Sequence, residues 1–414
     1  MEHGPGPGIG RNKEGHAITH FWTLSAAGFA ATAISFGPAR MGFGLFASEF
    51  RSEFSMSTSA IGVVSSLGFL GFFIGLLIAP PLLARKGPEA PVLCGLLAAT
   101  LGMAIVASAP NLPVLAAGVF LAASSAGFAW TPFNSAAHRT LTDRDRPAAL
   151  SAISTGTGIG IAGAGLAALA VVFTGFSWRA GWALFAGASA LAFLGNRAAM
   201  HRVGSPPAGR TGREWKALLQ RDTLPLYAIG VCYGVTSAVY ISFAADHMTE
   251  AGGVPGLPQT ATPALIFICY GLIGLVGAFS GQARAVLGLP MLLRLLLLAG
   301  AISIAPVALA PSSWSGLIAS AGLQGVHVMM TSAVLAFWSD RLFPALPSLG
   351  FTAALLAVAV GSVVGPALAG LVADSLGSQA MLLGTAILPA ATAAALRDRH
   401  ATDRPVSGPA SDHA

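Results

Sequence analysis

Ile61-Gly-Val-Val-Ser-Ser-Leu-Gly-Phe-Leu-Gly-Phe-Phe-Ile-Gly-Leu-Leu-Ile-Ala79 runs without a charged side chain and is followed a few residues later by Arg85-Lys86-Gly87. A helix crossing ~30 Å of hydrocarbon needs about 20 predominantly apolar residues, and this stretch supplies them. Its apolar length is uninterrupted rather than alternating, which excludes a barrel strand and leaves a helix that satisfies its own backbone. The same pattern recurs along the chain, and twelve spans are expected near 21–47, 57–79, 90–109, 112–137, 147–173, 177–196, 224–246, 261–283, 289–310, 313–338, 347–373 and 377–396.

Composition agrees with lipid as the solvent. Of 414 residues, 54% are hydrophobic and only 9% charged, with a mean hydropathy of +0.73, whereas soluble domains carry roughly 25% charged residues. So few charges cannot cover a water-facing surface of this size, so a soluble enzyme and a disordered chain are excluded. A nucleic-acid binder is a poor reading despite the net charge of +6, because no basic run interleaved with aromatics occurs. Cys94, Cys232 and Cys269 lie singly in apolar stretches, without metal-ligand spacing, and read as buried apolar residues. The first apolar run is too long for a cleavable leader, and none is expected.

The basic residues orient the spans, because Lys and Arg concentrate in cytoplasmic loops. With the N-terminus inside, eighteen of the 22 Lys and Arg fall in inner segments, Arg51 and Arg179 alone fall in outer loops, and Arg40 and Arg294 fall within spans. Both termini are therefore expected in the cytoplasm. Expected units are a polar tail over 1–19, a six-helix bundle over 20–196, a cytoplasmic connector over 197–223, a second six-helix bundle over 224–396 and a tail over 397–414. Within the connector, Arg213-Glu-Trp-Lys-Ala-Leu-Leu-Gln220 reads as a short helix on the inner membrane surface. The two bundles read as repeats: Arg85-Lys86-Gly87 and Ala109-Pro110 in the first correspond to Arg284 and Ala310-Pro311 in the second. Paired six-helix repeats, each nesting inverted repeats, form a transporter architecture with its site near the midplane.

Phe176-Ser-Trp-Arg-Ala-Gly-Trp-Ala-Leu-Phe185 resembles the G-W-R-W-x-F start of helix six in the major facilitator superfamily. Gly75-Leu-Leu-Ile-Ala-Pro-Pro-Leu-Leu-Ala-Arg-Lys-Gly87 is similar to its G-x-x-x-D-R-x-G-R-R loop, with Ala84 at the Asp position and Pro88 at a basic one. The resemblance covers roughly 21–396. It implies an all-α membrane fold of two pseudo-symmetric six-helix bundles whose helices one, four, seven and ten line a cavity. With Ala84 in place of the acid, Arg85, Lys86 and Gly87 are expected to anchor the cytoplasmic loop rather than relay charge. Gly37-Pro-Ala-Arg-Met-Gly-Phe-Gly-Leu-Phe46 resembles the first helix of bacterial members. Gly361-Ser-Val-Val-Gly-Pro-Ala-Leu-Ala-Gly370 resembles the drug/proton antiporter motif, but in helix eleven rather than helix five.

A charge inside a span costs ~2.5 to 3.5 kcal/mol on insertion scales and is a functional candidate. Arg40 has two readings: a guanidinium that reaches outward or pairs with Glu49 or Asp246 as a gate, or a fixed cation whose fork attracts an anionic substrate. His327 reads as a packing histidine, a substrate contact or a protonation site. Asp246, at an outer helix end, is the second candidate for proton coupling. Tyr233 and Tyr240 lie seven residues apart, on nearly one helical face, and read as cavity lining or as interhelical hydrogen-bond partners. Trp130 and Asn134 form an i, i+4 pair around Pro132 and read as cavity lining or as helix packing. Gly158-Ile-Gly-Ile-Ala-Gly163 matches G-x-G-x-x-G, but no strand precedes it, so it reads as helix packing.

The expected function is secondary transport of a small organic solute, an anion by the evidence of Arg40, by alternating access. A monomer in the cell inner membrane is expected, with H+ as the candidate coupling ion and no cofactor or metal. An efflux proton antiporter of the same fold is the alternative. A membrane-embedded enzyme would need a nucleophile with a base, or paired carboxylates, at depth, and a receptor or scaffold would show no flux.

Overall fold

The computed structural model describes residues 8–201, 218, 220–344 and 346–401, and among them every regular element is a helix. The first crossing is a broken rod of α1 (Gly8–Phe36), α2 (Pro38–Leu45) and α3 (Ala47–Phe54). It is followed by α4 (Thr58–Lys86), α5 (Glu89–Ala107), α6 (Leu112–Ser124) with α7 (Trp130–Thr140), α8 (Arg146–Thr174) and α9 (Trp178–Met200). The second half contains α10 (Leu224–Glu250), α11 (Thr262–Gly274) with α12 (Ser280–Leu287), α13 (Leu289–Leu309), α14 (Trp314–Leu342), α15 (Pro347–Leu376) and α16 (Ser378–Ala395). Eleven helices among the described residues are long and apolar enough to cross a membrane, and the α1–α3 rod makes the twelfth crossing. Their outward faces carry large apolar side chains such as Leu191, Leu371 and Leu376, each at least 61% exposed, as a lipid-facing surface requires.

One boundary differs from the sequence reading. The helix of the first crossing begins at Gly8, inside the segment expected to be a tail. The surface helix expected within the connector, and the tail from 402, lie outside the described residues apart from 218 and 220.

The repeat is visible in the signals that start and stop the helices. Asn111 caps α6 by accepting from the Val114 N–H, and Ser313, about 200 residues later, caps α14 from the Gly316 N–H. Each satisfies an otherwise orphaned donor at a helix start. Gly87 ends α4 at φ 78° and Gly288 ends α12 at φ 73°, conformations that a side chain would strain. The fourth crossing is interrupted by a 3-10 turn over Ser125–Phe128. Pro132 explains it, because proline clashes with the carbonyl four residues earlier and removes the bond that carbonyl would accept.

The halves meet along two helix pairs, α4 with α15 and α8 with α11. Small residues permit this approach: Gly62 lies against the Pro366 carbonyl, and Gly271 against the Gly158 carbonyl. In lipid, where apolar contact alone gives no drive to associate, such close backbone packing is what holds helices together.

Candidate functional site

Arg40 sits on α2, one turn beyond the break at Gly37-Pro38. Helical side chains lean toward the N-terminus, so its guanidinium reaches back over Phe36, 5.7 Å from the ring centroid. It also lies over Phe69 at 5.5 Å and Phe72 at 4.4 Å, midway along α4. Its Nε is fully enclosed and has no hydrogen-bond partner. The contrast with Arg294, the other arginine within a span, is direct: Arg294 donates to the Leu396 carbonyl at 2.8 Å and pairs with Asp398 at 2.9 Å. A desolvated cation–π contact contributes about 2 kcal/mol, whereas burying an ion costs several. The three rings thus position the Arg40 cation without neutralising it. Across the interface, α2 packs against α10 and α11, the helices that carry Tyr233 and Tyr270.

Arg40 does not pair with Glu49 or Asp246. The cation at that end is Arg51, on α3. Its Nη2 meets the Asp246 carboxylate at 2.5 Å and its Nε meets Glu250 at 3.2 Å, joining the two halves. Ser48 donates to Asp246 at 3.4 Å, and the Ser59 N–H donates to Asp374 of α15 at 3.3 Å. This end is therefore closed by polar contacts. A void of about 10 Å³ lies against Arg40, lined in part by Gly44, Ser65, Ile241 and Ser242, barely room for one water. On the opposite side of Arg40, Phe36, Phe72 and Leu76 of the first half pack with Leu355 and Ala359 of the second. An ion-pair closure on one side and an apolar closure on the other enclose the arginine.

The other sequence candidates separate. Trp130 packs against the apolar closure, and Asn134 is half-buried one turn further along. Tyr233 spends its hydroxyl on the Val328 carbonyl at 3.3 Å. Tyr240 shares a 2.9 Å hydrogen bond with Ser320, which donates on to the Ser303 carbonyl, all within the second half. His327 is fully buried: its Nδ1 is 2.7 Å from the Leu296 carbonyl, its ring fills the space over Gly300, and its edge meets the Tyr233 ring at 5.4 Å. These neighbours all belong to one half, and although Nε2 has no hydrogen-bond partner, the ring is packed between helices of that half. His327→Gln is accordingly expected to lower the melting temperature while leaving any pH-gradient dependence of transport intact. Loss of that dependence at unchanged stability would return the protonation role to His327.

Arg85 and Lys86 are exposed at the end of α4, where Gly87 turns the chain. The Trp178-Arg179 motif works as scaffold. Arg179 stacks on Trp178 at 4.1 Å, pairs with Glu53 at 2.6 Å and donates to the Ala109 carbonyl at 2.9 Å, while the Trp178 indole donates to Glu53 at 2.6 Å. Against the upward push of desolvation, these donors hold the Glu53 carboxyl below its usual range. The start of α9 is thereby fixed to the end of the first crossing.

Sequence reasoning missed Arg51, Tyr270 and the three phenylalanines. The charged run Glu49-Phe-Arg-Ser-Glu53 signalled that helix one continues past the membrane, and Asp246 and Glu250 share a face at i, i+4. Tyr270 carries no such mark within its apolar span.

Two repeated six-helix bundles meeting around an enclosed arginine define a multi-pass transporter fold. The sequence profile of the Major Facilitator Superfamily matches residues 28–289, more than half of the chain, and the chain belongs to that family. Among solved structures, the fold is similar to that of a POT family transporter in complex with 5-aminolevulinic acid, with a TM-score of 0.74 and 13% identity, covering 91% of this chain and 94% of that one. It is also similar to a bacterial homolog of the human lysosomal transporter Spinster in an inward-facing and occupied conformation, with a TM-score of 0.67 and 17% identity over 91% and 95% of the two chains. The nucleoside transporter NupG gives a TM-score of 0.71 at 13% identity over 90% and 98%. No curated protein matches the sequence. The family and these neighbours make the protein a transporter rather than an enzyme.

Proposed function

We propose that the protein carries a small organic anion across the membrane by alternating access, with Arg40 as the counter-ion of the substrate. One observation carries the reading: Arg40 is enclosed between the halves on three aromatic rings, with an unpartnered Nε and, among the described residues, no carboxylate paired with it. A cation in a low-dielectric site is costly unless paired, and a transported anion supplies the pair in the loaded state. The basic asymmetry of the sequence supports placing the Arg85 end in the cytoplasm and the Arg51–Asp246 closure on the outer side. The closed outer end then belongs to a state that communicates inward when the apolar closure parts.

A ligand that binds only the folded state stabilises it by about 2.7 kcal/mol at a hundred times its Kd. A stability screen of the purified protein against small organic acids, amines and neutral solutes tests the reading. Organic acids are expected to raise the melting temperature. Stabilisation by amines or neutral solutes alone would contradict it.

A further inference from the structure

We propose that Arg40 and Tyr270 grip one anionic group from opposite halves of the protein, and that the group belongs to a monoanionic organic acid with an apolar body. This rests on the reading of Arg40 as substrate counter-ion. Tyr270 is on α11 and is only 1% exposed, yet its hydroxyl has no hydrogen-bond partner. A buried hydroxyl without a partner loses its water bonds and gains nothing in return, as several buried serine and threonine hydroxyls here also do. The neighbouring tyrosines differ: Tyr233 bonds the Val328 carbonyl and Tyr240 bonds Ser320. The ring of Tyr270 is held between Phe267, 6.4 Å away, and Tyr240, 6.3 Å away. Its orientation is therefore fixed by packing rather than by a bond at its tip. α11 packs against α2, the helix that carries Arg40, and Tyr270 lies within electrostatic range of the guanidinium, so a donor from the second half faces the same interface as an unpartnered cation from the first.

The bonding capacities match one acid group. A carboxylate offers about four acceptor positions: the guanidinium fork fills two, and a phenol O–H supplies a third. Its charge is set by the single cation, since Arg294, the other arginine in a span, already pairs with Asp398 and Arg51 pairs with Asp246. The remainder of the ligand meets Phe36, Phe69 and Phe72, surfaces that reward an apolar body and leave further charges unsolvated. Because the two grips come from different halves, binding also ties the halves together, which connects occupancy to closure.

The test uses the full-length protein in detergent, with benzoate as the probe, benzamide as its neutral isostere and citrate as a polyanion. Benzoate is expected to raise the melting temperature of the wild type, with benzamide and citrate ineffective. Tyr270→Phe removes only the hydroxyl. It is expected to weaken benzoate about tenfold or more, the loss typical of a hydrogen bond to a charged group, without lowering the melting temperature of the unliganded protein. A merely structural tyrosine would show the reverse, a lower unliganded melting temperature at unchanged affinity. Wild-type affinity for benzoate in Tyr270→Phe overturns the two-sided grip. Absence of a benzoate response in the wild type, or equal responses to benzamide or citrate, overturns the apolar monoanion. The transport reading fails separately, if Arg40→Met binds every acid as the wild type does.

Discussion

Arg40→Met is expected to melt at a higher temperature than the wild type and to lose its response to organic anions. Methionine is flexible, fills a comparable space and makes favourable sulfur contacts with aromatic rings, of which Arg40 already touches three. Replacing buried ionic groups by apolar ones of similar volume commonly stabilises by about 1–4 kcal/mol, and here the charge lacks even a partner to offset its desolvation. A residue whose removal stabilises the empty protein is retained for what it binds, the usual trade-off at functional sites. Thermal melts of both proteins with and without benzoate check this. A lower melting temperature with an intact anion response would show that Arg40 is structural.

Asp246→Asn is expected to open the end of the molecule that carries Arg51. The substitution removes the charge that Arg51 meets at 2.5 Å while keeping the shape of the side chain. Breaking a fully buried pair costs about 3–5 kcal/mol. Arg51 retains 21% side-chain exposure and a second partner in Glu250, so about 1–3 kcal/mol is the expected loss, a shift of roughly 5- to 150-fold in the balance of closed and open forms. The readout is a cysteine at position 242, where Ser242 lines the small void beside Arg40, in a background lacking Cys94, Cys232 and Cys269. Its labelling by an impermeant thiol reagent should accelerate by that factor in Asp246→Asn. Unchanged labelling would mean that the α4–α15 and α8–α11 contacts close this end without the ion pair.

The crossings were legible because lipid imposes a simple rule on sequence. Any stretch such as Ile61–Ala79 that lacks charge for about 20 residues has to span, and it has to be helical. The repeat was legible in part, as Arg85-Lys86-Gly87 against Arg284, and the glycines ending α4 and α12 give it a structural basis. Arg40 was legible because a charge in a span is conspicuous, but whether it was paired depended on residues far away in the chain. Arg51 looked like a loop residue until α3 carried it to Asp246, 195 positions away. His327 and Tyr240 looked alike as polar groups in apolar spans. Their partners, the Leu296 carbonyl and Ser320, turn both into the second half, and no periodicity in one helix encodes the facing residue of another. Tyr270 is the converse, a residue without sequence signal whose importance lies in a bond it does not make.

Flux of a permanently charged acid through Arg40 tests the central claim most directly. Benzenesulfonate does not cross bilayers by protonation, so its labelled uptake into proteoliposomes reports the protein alone. With matched amounts of inserted protein, the wild type is expected to exchange benzenesulfonate across the membrane, and Arg40→Met to fall to the rate of protein-free vesicles. Equal exchange by the two proteins would contradict Arg40 as the counter-ion of a transported anion.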